Sequence, residues 1–243
     1  MDAIDKKLIE NAYTSRDICF IYYDYSFLKR YSDTLVEKLF EIFSNNPNFL
    51  DVSLFIQMLQ AASQKQAIIN MKEWSMLDHV LKRGNFLVKD IDLEKKCLIF
   101  KYVSQLELCF NPIKFDYPFF FNQIKEEIKF RIYDMTENSM LAIIQSYQIL
   151  PMNFYSDLFV DVIELIKASL ETNRQAISSV FLLEIISEIN KIKILKRRDV
   201  VKAKLNLEKE IMERLKDKDK KFLDPKVLNN FFTQFLSLFF IFC

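Results

Sequence analysis

The sequence predicts an all-α protein made of stacked antiparallel helix pairs, similar to an α-solenoid, with a hydrophobic C-terminal helix. The chain of 243 residues contains a single glycine, Gly84, although an average composition would supply roughly 17. Because glycine gives tight β-hairpin turns their positive φ, a chain so poor in glycine can form few hairpins. Apolar residues instead recur every three to four positions, which is the spacing of one helix face. A repeat near 38 residues, described below, predicts the stacking.

The first half of the chain carries four predicted helices, and each is bounded by a residue that favours a helix end. Serine and aspartate accept hydrogen bonds from the first free N–H groups of a helix. Glycine just after a helix takes up the left-handed conformation that closes it. The four helices are residues 32–44 with Ser32 as N-cap, a helix opened by Asp51, residues 72–83 with Gly84 as C-cap, and residues 92–108 with Asp92 as N-cap.

The second half carries six more predicted helices. Asp134 and Glu137 have the spacing of a capping box, so a helix is expected to begin there. Asp224 followed by Pro225 marks the start of the last helix, because proline suits the first helical position. The predicted ranges are 118–133, 134–150, 154–171, 173–190 with Asn173 as its cap, 199–219 and 225–241.

Two of these helix pairs match each other when the sequence is shifted by 38 residues. A repeated two-helix unit of this length is typical of an α-solenoid; the alternative is a plain helical bundle whose hairpins match by accident. We predict a helical-repeat domain over residues 1–198, and a charged helix plus an apolar capping or docking helix over residues 199–243. The shift places Phe121, Ile124, Ile128 and Ile132 on Phe159, Val162, Ile166 and Leu170, and Ile144 and Tyr147 on Leu182 and Ile185.

Composition bounds the compartment and the partners. Lys and Arg total 34 and Asp and Glu total 33, so the net charge of +1 neither favours nor excludes nucleic acid. The N-terminal residues show no secretory signal and no cleavable Arg-rich presequence. The longest apolar run, residues 235–243, is too short to span a bilayer. Four widely spaced cysteines are expected to be free, mostly buried thiols: Cys19, Cys97, Cys109 and Cys243.

The sequence predicts no catalytic residue, no metal site and no cofactor. His79 is the only histidine, and no nucleophile motif surrounds it. This side chain is expected to lie on a helix surface or to be partly buried. One histidine and scattered cysteines do not supply a zinc set. We therefore expect a protein that is not an enzyme.

A basic stretch, defined as residues 191–204, is the candidate RNA-binding segment. It carries seven cations against one acid, Asp199. Such a cluster contacts phosphates and releases counterions on binding; the alternative is a solvated loop and helix face. The seven residues are Lys191, Lys193, Lys196, Arg197, Arg198, Lys202 and Lys204.

The apolar C-terminal tail is the candidate partner-binding segment. Aromatic runs here and at residues 119–121 lack the interleaved cations of base-stacking surfaces, so packing in a core or on a partner is expected. An apolar terminus of this kind has to be covered. The candidate contacts are Phe235, Leu236, Phe239, Phe240 and Phe242.

The two matched segments, residues 121–147 and 159–185, resemble the degenerate heptatricopeptide and octotricopeptide repeats of organellar RNA-handling proteins, including FAST-kinase-like proteins. Residues 35–62 are a weaker third copy. The resemblance implies a non-catalytic protein that binds RNA or serves as a subunit of a mitochondrial ribosome. The chain shows no RAP domain at its C-terminus and lacks the 35-residue pentatricopeptide period, and these departures favour a scaffold over a sequence-specific RNA binder.

The function expected from residues and resemblance together is a structural or assembly subunit of a mitochondrial ribosome or a related organellar ribonucleoprotein. Its partners would be other protein subunits, with ribosomal RNA at the basic stretch, and its location the mitochondrion. Two alternatives stay open. One is a cytosolic or cytoskeletal adaptor that binds only proteins, and the other is an accessory subunit of a mitochondrial membrane complex.

Overall fold

The computed structural model describes residues 3–9, 12–30, 32–64, 71–107, 117–147, 156–172 and 177–192, and a few residues between 198 and 209. Helices and the turns that join them make up these residues, and no strand occurs among them. The prediction of an all-α fold is therefore confirmed. The chain divides into two compact units, residues 1–128 and residues 129–243.

The described helices follow one another with short connections. A turn of 3₁₀-helix follows α5 at Val88–Asp90, and another follows α7 at Ile132–Asp134. The α-helices are α1 Ala3–Ile9, α2 Ser15–Phe27, α3 Asp33–Asn45, α4 Val52–Gln64, α5 Met71–Leu87, α6 Leu93–Glu107, α7 Tyr117–Phe130, α8 Glu137–Ser146, α9 Ser156–Thr172 and α10 Ser179–Lys191.

Three predicted N-caps are confirmed, at the starts of α3, α4 and α6. In each case the cap's side-chain oxygen accepts the backbone N–H three residues later, at 3.2 Å for Ser32, 2.8 Å for Asp51 and 2.8 Å for Asp92. Hydrogen bonds from Lys95 hold the pKa of Asp92 below its ordinary value. Local sequence therefore sets where these helices begin.

Helix α2 begins at a capping box that the sequence contains and that the predictions above do not include. Thr14 Oγ1 accepts the N–H of Asp17 at 3.2 Å, and the N–H of Thr14 donates to Asp17 Oδ2 at 3.1 Å. The Thr14 hydroxyl also donates to this carboxylate, which holds the pKa of Asp17 below its ordinary value. Aspartate here takes the place that glutamate usually has in the motif.

The prediction that Gly84 closes the third helix is wrong. Helix α5 continues to Leu87, and Gly84 does not have a positive φ. A Cβ at this position would lie 2.5 Å from Cζ of Phe55, in α4, and 3.4 Å from Cζ of Phe120, in α7. Both rings are fully buried. Glycine is needed here because a packed ring occupies the place of a side chain, and not because the chain turns.

Two other predicted boundaries are wrong. Helix α7 ends at Phe130 rather than 133, and Asp134 belongs to the following 3₁₀ turn, where its N–H donates to the Arg131 carbonyl at 3.0 Å. Helix α8 starts after Thr136, whose hydroxyl accepts the N–H of Ser139 at 3.2 Å. In α10 the N-cap is Ser178; the predicted cap, Asn173, lies outside the described residues.

Within the first unit, α1, α2, α3 and α4 each pack on the helix that comes two places later in the chain. One row contains α1, α3 and α5, and the other contains α2, α4 and α6, with α2 on α3 and α4 on α5 joining the rows. In the α2–α4 and α3–α5 pairs, residues further along one helix are bonded to residues further along the other. The two stacked helices of each pair therefore run in the same direction. These contacts are Glu37 with Lys72, Ser44 with His79 and Arg16 with Asp51, each 35 residues apart, and Tyr23 with Gln60, 37 residues apart.

Within the second unit, α8 packs on α10 and on α9. Glu137, in the first turn of α8, accepts the backbone N–H of Ser178 at 2.6 Å and its hydroxyl at 2.8 Å, 41 residues away. The rings of Tyr147 and Phe159 lie 5.0 Å apart, tilted by 58°. The Glu137 hydrogen bonds fasten the start of α10 to the start of α8, and the ring pair joins the end of α8 to α9.

Most positions matched by the 38-residue shift are buried in the same way. Ile132 is the exception, because it lies half-buried in the 3₁₀ turn. The side chain of Phe121 lies outside the description. The buried positions are Ile124, Ile128, Ile144 and Tyr147, and their counterparts Val162, Ile166, Leu182 and Ile185.

The predicted domain boundary after residue 198 stays a prediction. The helices expected over residues 199–219 and 225–241 lie largely or wholly outside the described residues. Described there are residues 201–202, 205–207 and 209, all of them helical.

We predict that Gly84→Ala destabilises the protein. Alanine in a helix normally stabilises by about 1 kcal/mol, but overpacking costs about 1–3 kcal/mol, so a net loss of up to about 2 kcal/mol is expected. Urea denaturation followed by circular dichroism measures the change. Because the clash is with one ring, Gly84→Ala should cost less in a Phe55→Leu background. A Gly84→Ala protein at least as stable as the wild type would contradict this packing role.

Candidate interaction surfaces

The structure describes three of the seven cations in the basic stretch. Lys191 ends α10, is exposed, and forms an ion pair with Glu188 at 2.7 Å. Arg198 and Lys202 are also exposed. An exposed ion pair between residues one helical turn apart stabilises by about 0–1 kcal/mol. Lys191 therefore stays accessible to another anion. Four predicted contacts lie outside the described residues: Lys193, Lys196, Arg197 and Lys204.

The predicted partner-binding tail, with Phe235, Leu236, Phe239, Phe240 and Phe242, lies outside the described residues. Phe120, in the other aromatic run, is buried as expected. The described residues expose other aromatic side chains that the sequence did not single out. Phe130 is 90% exposed and Tyr133 is 88% exposed in the second unit. In the first unit, the exposed or partly exposed rings are Phe20, Phe27, Phe40 and Phe86.

An open pocket of about 360 Å³ lies in the first unit, between the end of α3 and the second half of α5. Four of its lining residues come from one face of α5, at positions i, i+3, i+4 and i+7. Two come from the turn that follows α3. The lining residues are His79, Lys82, Arg83 and Phe86 from the helix, and Pro47 and Asn48 from the turn.

His79 is half-buried on α5, which agrees with its expected position on a helix. Its ring and that of Phe40 form an edge-to-face contact, with centroids 5.3 Å apart and the planes at 77°. Its Nε2 lies 3.4 Å from the Ser44 hydroxyl. Both neighbours belong to α3, so the imidazole forms the wall that joins the two stacked helices.

The charged side chains of the pocket are basic. Lys82 Nζ is paired with Asp78 Oδ2, at 2.5 Å, one turn earlier in the same helix. Arg83 Nε approaches the Leu50 carbonyl at 3.5 Å, which is a long contact. A guanidinium has five N–H donors in a planar fork. No other described residue bonds Arg83, so most of its donors are available to a ligand.

Phe86 supplies the apolar side of the pocket. It is 68% exposed, although phenylalanine is usually buried. The ring lies one turn beyond Lys82 on the same helix face. The pocket therefore combines an exposed aromatic ring with two cations and an imidazole.

The described residues contain no group of three histidine, cysteine, aspartate or glutamate side chains that could hold a metal ion. None of the described helices is both long and apolar enough to cross a membrane. The cysteine prediction is confirmed for two residues, since Cys19 and Cys97 are buried and take part in no disulfide. Burial raises the pKa of Cys19 to about 12. Cys109 and Cys243 lie outside the described part.

Buried polar contacts in the first unit tie helices together and do not line the pocket. The Tyr22 hydroxyl in α2 donates to Glu73 Oε1 in α5 at 2.6 Å, and Glu73 is 2% exposed. Lys96 in α6 is buried and bonds to Glu127 in α7. Buried charges of this kind need a partner to be tolerated.

Comparison with known proteins gives no match: no family model, no curated protein and no solved structure corresponds to this chain. The resemblance to organellar helical repeats therefore stays a prediction. Function has to be derived from the packing and from the surfaces described above.

We predict that Cys19 reacts with iodoacetamide only after unfolding. With a pKa of about 12, roughly one thiol in 10⁴ is ionised at pH 8, and the thiolate is the reactive form. Alkylation of native protein and of protein in 6 M guanidinium, quantified at the Cys19 peptide by mass spectrometry, measures the difference. A more than hundred-fold slower rate in the native protein is expected. Equal rates would show that the α2–α4 contact does not protect this thiol.

Proposed function

We propose that this chain is a non-catalytic scaffold whose helix pairs stack as in an α-solenoid within each unit. The observation that carries this proposal is the same-direction stacking of alternate helices, with bonded residues 35 to 37 residues apart in the first unit. In the second unit, α8 and α10 are joined by residues 41 apart. Solenoid repeats of 20–45 residues stack in this manner, and each contacts its neighbours.

A scaffold role is supported by what the stacking leaves outside. Stacked helix pairs bury one face and present the other, which gives an extended surface for partners. Phe86, Phe130 and Tyr133 are large rings held on or beside helices with most of their surface in solvent. Exposed aromatic surface of this kind is typical of contact sites.

The non-catalytic part of the proposal is supported by the surroundings of the single histidine. Ser44 and His79 are within 3.4 Å, which invites comparison with a nucleophile and its base. A catalytic pair needs a third group that orients the imidazole. No described carboxylate is hydrogen-bonded to His79, and Ser44 lies inside the last turn of α3. The pair is better explained as a contact between stacked helices.

We assign this scaffold to an organellar ribonucleoprotein, as a structural or assembly subunit of a mitochondrial ribosome or a related particle. The support is the repeat length, its resemblance to organellar RNA-handling families, and the exposed cations of the basic stretch at Lys191, Arg198 and Lys202. Protein neighbours bind the helical faces, and the basic stretch contacts ribosomal RNA.

We predict that a triple charge reversal, Lys196→Glu with Arg197→Glu and Arg198→Glu, weakens binding to ribosomal particles. Each lost phosphate contact reduces the salt dependence of binding, by about 0.7–0.9 in the slope of log K against log salt. Sedimentation of tagged protein with particles from its native cells, at several salt concentrations, measures both quantities. The matched control reverses Lys6, Lys7 and Lys89, exposed lysines of the first unit.

Ribonuclease treatment separates the outcomes of this experiment. A subunit of a ribonucleoprotein sediments with the particle and is released when the RNA is digested. Sedimentation that survives digestion, with cytoskeletal proteins or with a membrane complex, would identify one of the two alternative assemblies. An unchanged salt slope in the triple variant would remove RNA contact from the proposal and leave the scaffold.

A further inference from the structure

The pocket between α3 and α5 contains the elements of a second, separate binding site. We propose that it docks a short segment of a partner protein in which an acidic side chain lies next to a large apolar one. This inference goes beyond the scaffold role and does not depend on the basic stretch, because it uses residues of the first unit alone.

The apolar half of the site is Phe86 together with Pro47. Phe86 and Pro47 line the pocket, and Phe40 packs against the neighbouring His79. Covering an aromatic ring that is 68% exposed removes apolar area from water, and aromatic anchors of this kind carry much of the free energy of protein recognition. An apolar side chain of the partner is therefore expected over Phe86.

The polar half of the site is Arg83 with Lys82. Arg83 makes one long contact, to the Leu50 carbonyl, and its remaining donors form a fork that suits a carboxylate. Lys82 has Asp78 as a neighbour on the same helix, while none of the described residues that line the pocket is acidic. The local charge therefore favours an incoming anion.

The pattern of charge around the pocket favours a single carboxylate over a nucleic-acid strand. Single-stranded nucleic acid follows a continuous positive groove. Among the described residues that line the pocket, the cations are Lys82 and Arg83, which are adjacent on one turn of α5. Two adjacent cations match one carboxylate, whereas a nucleic-acid strand needs cations that continue along a groove.

The size of the pocket agrees with this occupant. Its volume of about 360 Å³ is near the lower end of the range for ligand pockets. That space holds one apolar side chain and one carboxylate, and it does not hold a folded domain. The partner is therefore expected to contribute a short segment of a few residues.

Selection of a random twelve-residue phage-displayed peptide library on the full chain tests the proposal. Enriched peptides should share an aspartate or glutamate within two residues of a large apolar side chain. Fluorescence anisotropy with the synthetic peptides should show at least about ten-fold weaker binding to Arg83→Gln or Phe86→Ala, since each removes one of two anchors. The control variant Lys95→Gln changes an exposed lysine of α6 that is paired with Asp92 and should bind like the wild type.

Circular dichroism of each variant checks that the helices remain intact. The Lys82→Gln variant, at a half-exposed residue, repeats the test and leaves the contact between Arg83 and the Leu50 carbonyl unchanged. A selection that yields no acidic–apolar motif, or peptides that bind all variants equally, overturns the proposal. A twelve-residue oligouridine whose binding is weakened by the same substitutions would make the pocket a nucleic-acid site. A dimer in sedimentation velocity that Phe86→Ala dissociates would make the occupant a second copy of this chain.

Discussion

The structure depends on one constraint: helices α1 to α6 of the first unit bury apolar faces against one another, mostly in pairs two places apart in the chain. In α5 the buried face contains Leu77, Val80 and Leu81, and the approach of α4 is close enough that Gly84 is required beneath the Phe55 ring. Each fully buried aliphatic side chain stabilises by about 1.5–3 kcal/mol. Exposed ion pairs such as Arg16 with Asp51 contribute about 0–1 kcal/mol. Apolar burial therefore determines the stacking, and the surface pairs follow the register that it sets.

That register decides which polar groups meet in the interior. Because α2 stacks along α4 and also contacts α5, the Tyr22 hydroxyl of α2 donates a hydrogen bond to Glu73 of α5. A buried carboxylate without a hydrogen-bond donor would be costly, so this pair excludes alternative alignments of α2 and α5 more strongly than it adds stability. Glu137 and Ser178 have a comparable role in the second unit, because a carboxylate from α8 completes the cap of α10. Polar contacts thus fix an arrangement that apolar contacts alone would leave open to sliding.

Much of the fold, and little of the candidate site, was predictable from sequence, and the reason lies in the range of the interactions. The caps at Ser32, Asp51 and Asp92 act over three residues, so a local pattern is enough to find them. The role of Gly84 depends on its contact with Phe55 of another helix. No local sequence pattern contains that contact. The capping box at Thr14 is also a local pattern, but it has aspartate in the place that glutamate usually takes, and it was not among the predicted caps. The pocket needs both α3 and α5, and its residues look like an ordinary solvated helix face until those helices are placed together.

The same helical period that builds the core also assembles the pocket. Because residues at i, i+3, i+4 and i+7 share a face, burying one side of α5 necessarily aligns His79, Lys82, Arg83 and Phe86 on another. Stacking on α3 then supplies the second wall. The basic stretch has a different physical character, since it is a run of cations with one acid, and the RNA contact proposed for it is expected to weaken steeply with salt. Docking in the pocket would cover the exposed Phe86 ring, and the contribution of this apolar area is not screened by salt. The two proposed contacts are therefore expected to differ in salt dependence, so that an RNA and a protein neighbour would be held by independent interactions.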